Sequence, residues 1–99
     1  MRLAPDQIQT IRTCVASLAG DSARVWLFGS RVRDDERGGD VDLLLEIDTA
    51  VEEPAQLSAR LAVHVSRCMD GRKVDVLIKA PNLLHLPIHT MALAEGVRL

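Results

Sequence analysis

FGSRVRDDERGGDVDLLLEI, Phe28 to Ile47, is the stretch on which the reading of this chain turns. Val41, Leu43, Leu44, Leu45 and Ile47 read as a buried strand. Asp40 and Asp42 stand at its mouth, two residues apart and on the same side of the pleat. Along a strand that spacing is about 6.5–7 Å. Two like charges at about 4 Å repel by roughly 1 kcal/mol in water and about 4 at an effective dielectric of 20. A pair of acids here calls for a compensating charge.

Outward from this strand the elements follow in order. Upstream, RVWLFG (24–29) is a short strand rich in β formers. Before it, Pro5 and Asp6 open a helix that carries Ile8, Ile11, Val15 and Leu18 at helical spacing, with Gly20 as its stop. Downstream, Pro54 opens a second helix with Leu57, Leu61, Val65, Cys68 and Met69 on one stripe, ended by Asp70-Gly71. KVDVLIKA (73–80) is a third strand, and a short helix over 88–95 closes at Gly96. The order is α-β-β-α-β-α, an α/β (α+β) chain read as one domain over residues 1–99, with room for a helical turn between the first two strands. Alternation puts Val41, Leu43, Leu45 and Ile47 on one face of the second strand and Asp40, Asp42, Leu44 and Glu46 on the other. In the third strand Lys73, Asp75, Leu77 and Lys79 oppose Val74, Val76, Ile78 and Ala80. Helices are therefore expected on one face of the sheet, with the acid-bearing face largely open.

Composition narrows the classes. Apolar content of 47% suits a globular core, while a net charge of −2 and two aromatics, Trp26 and Phe28, speak against duplex binding or a base-stacking platform. No apolar run reaches the roughly 18 residues of a membrane span, and the first 20 residues read as an amphipathic helix rather than a leader, so a cytoplasmic location is expected. Cys14 and Cys68 form no CxxC pair and are expected as small buried hydrophobes. His85 and His89, with Pro87 between them, are expected as surface or packing residues. A calcium loop beginning at Asp34 fails, because Gly38 and Leu45 fall where it needs oxygen ligands.

If the third strand pairs with the second, Asp75 joins Asp40 and Asp42, and three carboxylates on rigid strands suit hard divalent cations such as Mg²⁺. Gly29 and Ser30 end the first strand, where a glycine lets backbone approach a ligand closely and Ser30 adds a hydroxyl. Arg31 and Arg33 are cations suited to phosphate oxygens, or else ordinary surface charges. A phosphate cradle beside a carboxylate cluster points to phosphoryl or nucleotidyl transfer. The competing reading is structural: Asp40 capping a loop, and Asp75 pairing with Lys73 or Lys79 across a solvated face.

FGSRVRDDERGGDVDLLLEI followed by KVDVLI resembles the DNA polymerase β-like nucleotidyltransferase superfamily: Gly-Ser, a spacer, Asp-x-Asp on a strand, and a third acid on a later strand. The short length resembles its minimal nucleotidyltransferase (MNT) group, antitoxins paired with HEPN-domain toxins. The resemblance implies a nucleotidyltransferase fold with a small mixed sheet. It implies a nucleoside triphosphate substrate, ATP first, held over Gly29 and Ser30 with Arg31 and Arg33. It implies Asp40, Asp42 and Asp75 as catalytic ligands of two Mg²⁺ ions. It also implies transfer of AMP to a HEPN-type toxin, with a homodimer or a hetero-oligomer as the assembly. Two departures bear on the loop alone: the spacer from Ser30 to Asp40 is nine residues, and Gly38-Gly39 replaces a more polar pair. The alternative is a non-catalytic antitoxin that masks its partner. Modification of a small molecule would need an acceptor-binding domain for which this length leaves no room.

Overall fold

Pro5 occupies the first turn of α1 (Pro5–Ala19), where its missing N–H has no intrahelical role, and Asp6 complements the positive end of the helix. Gln7 folds back so that its Oε1 accepts the Ala4 N–H at 2.8 Å. Ile11 and Val15 are buried, one turn apart, and Gly20 stops the helix at φ 96°. The computed structural model describes residues 3–29 and 41–99, and the helical turn considered between the first two strands lies outside them. The remaining elements are β1 (Arg24–Phe28), β2 (Val41–Glu46), α2 (Pro54–Arg67), β3 (Val74–Lys79), α3 (Pro87–Glu95) and β4 (Val97–Arg98). The expected mixed α/β architecture and its order hold, with element ends shifted by a residue or two.

The sheet runs β3-β2-β1-β4. β2 is antiparallel to β1 and parallel to β3, with α2 as the crossover, and β4 pairs antiparallel with β1. One face carries Val25, Leu27, Val41, Leu43, Leu45, Val74 and Ile78, buried against Ile11 and Val15 of α1 and Leu61 and Val65 of α2. Ser58 of α2 donates to the Val76 carbonyl at 3.0 Å, which fastens the helix over β3. Asn82 joins the loops below by donating to the Val51 carbonyl at 2.8 Å and accepting the Val51 N–H at 2.9 Å.

Three expectations need correction. The second face of the sheet is not largely open: α3 lies on it, with Ala92 packed against Phe28 and Leu44, and Trp26, Leu77 and Leu93 beside them. Alternation had already placed Leu44 and Leu77 among the acids, and two leucines in the middle of a sheet face need cover. Cys68 is exposed rather than buried. It caps α2 after Arg67, where helical periodicity ends and the turn carries Met69, not Cys68, into the core. Finally, the chain adds a strand. Gly96 passes so close to the Ala92 and Leu27 carbonyls that a Cβ there would collide with backbone, and this approach lets Val97 pair with Leu27. Cys14 does fit its expectation in part: it is half-buried against the main core, and burial followed by the neighbouring Cys68 raises its thiol pKa.

Candidate active site

The apolar rows of β2 bury its alternate residues on the α1–α2 side, so Asp42 must emerge on the α3 side. Register then decides its neighbours. Phe28, Asp42 and Asp75 are Cα partners across β1, β2 and β3. Adjacent strands lie about 4.8 Å apart, so the two acids stand side by side at one end of the sheet face. Asp42 is half-buried and Asp75 is exposed. Beside Phe28, Gly29 turns at φ 77°, and a Cβ on it would run into the Asp42 carboxylate. Glycine at 29 therefore has a structural cause: it admits the left-handed turn and leaves space for the acid.

Lys73 precedes β3, and its Nζ lies 3.8 Å from Asp75 Oδ2. The pairing allowed by the structural reading of Asp75 is thus present, with Lys73 rather than Lys79 as the partner. Lys79 instead reaches Glu46 Oε2 at 3.4 Å. Glu46 also accepts from Arg24 Nε at 2.7 Å, and Arg24 holds Asp48 through both terminal nitrogens at 3.0 and 2.7 Å. The Arg24 hydrogen bond lowers the pKa of Glu46 and of Asp48, and those bonds hold the guanidinium firmly protonated. This network sits four residues along β2 from Asp42, beyond the row filled by Trp26, Leu44 and Leu77. Glu46 is therefore committed to an ion-pair network and separated from the candidate site by an apolar row.

Of the residues expected at the site, the structure brings together Gly29, Asp42 and Asp75. Asp40, Ser30, Arg31 and Arg33 lie outside the described residues. Among the described residues no three His, Cys, Asp or Glu side chains form a group able to hold a metal. The two adjacent carboxylates are nevertheless hard oxygen donors, the chemistry that Mg²⁺ takes when phosphates and water complete its shell. The residues present fit such an ion as a partial ligand set. His89 is buried, and its Nδ1 accepts the Leu86 N–H at 2.9 Å, while His85 Nε2 lies 2.8 Å from Thr90 Oγ1. Both histidines stabilise the start of α3, as packing and surface residues.

Two features escaped the sequence reading. Phe28, Leu44 and Ala92 form a second small core directly beside the acids. The outer side of α3 and the segment before it expose Leu84, Leu86, Ile88 and Met91. The run LLHLPIHTMALA carried the signal, since a short helix that is apolar all round has more than one surface to cover. A family model described as Nucleotidyltransferase domain matches residues 8–93 of the chain. No curated protein matches it.

Proposed function

Starting from a chain that belongs to the nucleotidyltransferase domain family, we propose that it transfers a nucleoside monophosphate, AMP from ATP, to a hydroxyl on a partner protein. The observation that carries this reading is the register match of Asp42 and Asp75 beside the tight turn at Gly29. In the proposed arrangement Gly29 and Ser30 receive the β- and γ-phosphates, with Arg31 or Arg33 neutralising them. Asp40 and Asp42 hold the triphosphate side of the site, and Asp75, on its own strand, serves the acceptor side. Mg²⁺ bound by these carboxylates would neutralise phosphate charge and ease ionisation of the acceptor hydroxyl. The acceptor oxygen bonds to the α-phosphorus, and the bond from that phosphorus to the bridging oxygen breaks. Pyrophosphate leaves with the electron pair, and the hydroxyl proton departs toward Asp75.

Surface chemistry points to the partner. Leu84, Leu86, Ile88 and Met91 present an apolar surface around α3, the helix that packs beside the acids. A protein docked there would bring a Ser, Thr or Tyr hydroxyl near Asp75, and in-line positioning supplies much of the rate. The MNT resemblance makes a HEPN-domain toxin the first candidate, silenced by adenylylation, with this chain as the antitoxin of the pair. The same surface would equally suit an antitoxin that only masks its partner. The deciding experiment purifies the chain with the protein encoded beside its gene, adds ATP and Mg²⁺, and reads intact masses. An added AMP on the partner, missing with Asp42→Asn, is the expected result. A stable complex without an adduct from any of the four common triphosphates would replace transfer by masking.

A further inference from the structure

Lys73 has no part in the transfer scheme, yet among the described residues its ammonium forms an ion pair with Asp75. It lies two residues before Asp75, so the two side chains leave the same side of the chain, and Nζ comes to 3.8 Å from Oδ2. Its position is fixed from the backbone, because the Lys73 carbonyl accepts the Val41 N–H at 2.9 Å beside the start of β2. Among the described residues, Arg24 and Lys79 are also tied into ion pairs on this face, and they serve Glu46 and Asp48 at the far end. Lys73 and Asp75 are 68% and 53% exposed, so their pair adds little to folding. Its effect is local and electrostatic.

We propose that Lys73 is an exchangeable partner of Asp75: it holds the carboxylate while no divalent cation is bound, and it passes to the polyphosphate when Asp75 becomes a ligand. The inference rests on the transfer reading. Asp75 cannot serve an ammonium and a divalent ion equally through the same oxygen, and two cations at that distance repel. The four-carbon stem of lysine lets the ammonium swing while its backbone stays in register, and the ammonium is a point charge that binds phosphate without a fixed geometry. Lys73 thus discourages metal binding in the absence of substrate and strengthens binding of the metal–triphosphate pair.

The test measures Mn²⁺ affinity by electron paramagnetic resonance without nucleotide. It then measures affinity for a non-hydrolysable ATP analogue with Mg²⁺, in the wild type, Lys73→Met, Lys73→Arg and Asp42→Asn. Lys73→Met is expected to bind free Mn²⁺ about 1.5- to fivefold more tightly, the range of an exposed ion pair. The same variant is expected to bind the analogue about tenfold more weakly, the scale of one lost charge-assisted contact. Lys73→Arg should keep both affinities near the wild type. If the wild type binds Mn²⁺ through Asp42 and Lys73→Met changes neither affinity, or weakens both, the exchange is overturned while the transfer reading stands. If the wild type binds no Mn²⁺ with or without the analogue, both fall together.

Discussion

At position 29 a single hydrogen atom decides what can be built. The φ of 77° and the nearness of the Asp42 carboxylate leave no room for a methyl group. Gly29→Ala should cost about 1–2 kcal/mol for the left-handed turn alone. It should cut activity further than stability, because relief of the clash moves Asp42; a melting curve beside a transfer assay separates the two. Asp42→Asn keeps the shape and removes one of two adjacent negative charges. Transfer should fall by more than about 100-fold, while the far-ultraviolet dichroism of the folded protein stays that of the wild type. Activity retained in Asp42→Asn would contradict its assignment. Strand alternation made Asp42 and Asp75 legible as residues of the polar side, and the parallel register then made them neighbours. The contact of Gly29 with Asp42 was not legible, since it joins residues on different strands through a turn with no side chain to signal it.

Elements show where local pattern succeeds and where it stops. The stripes of α1 and α2 announced Ile11, Val15, Leu61 and Val65 as core, and all four are buried. α3 has no comparable stripe, so its seat on the acid-bearing face came from Phe28 and Leu44 requiring cover. Ala92→Asp would put a charge into that dry contact. The expected outcome is undocking of α3, seen as a red shift of Trp26 fluorescence with most far-ultraviolet dichroism retained; an unshifted spectrum would show that α3 tolerates the charge. At the far end of β2, Arg24 lowers the pKa of Glu46 from its ordinary 4.5 and of Asp48 from 3.8. Groups with depressed folded-state values stabilise the fold above the ordinary values and lose that contribution as the pH falls below them. Arg24→Met should therefore lower stability at pH 6 and flatten its loss below about pH 4.5. Denaturant midpoints at several pH values check this, and parallel curves for both proteins would contradict it.

The molecule as a whole is a two-layer core with a thinner third layer added by α3. Leu61, fully buried between α2 and the sheet, belongs to the thick part. Leu61→Ala should cost about 2–5 kcal/mol, a fall of roughly 10 °C or more in melting temperature for a chain of this length. Below that temperature, transfer should stay near wild type, because Asp42 and Asp75 face the other side. A variant that melts normally would mean the core had collapsed around the cavity; one that melts early and also loses transfer while folded would show that the two faces are coupled. The acids thus stand on a scaffold whose stability comes from the opposite face.

Element order, the buried stripe of each long helix and the polar side of each strand belong to the sequence alone, because they follow from periodicity within a few residues. The Gly-Ser and Asp-x-Asp spacing likewise pointed to phosphate chemistry before any contact was known. Tertiary structure decided the parallel register that sets Asp75 beside Asp42, the cover of Leu44 by α3, the pairing of β4 and the choice of Lys73 over Lys79. β4 is two residues long and is held by backbone hydrogen bonds, which any side chains could accompany. Lys73 and Lys79 stand two and four residues from Asp75 on one strand face, and only the position of Glu46 on the neighbouring strand draws Lys79 away. Such choices are made between segments distant in the chain, where geometry in space rather than local pattern selects the partner.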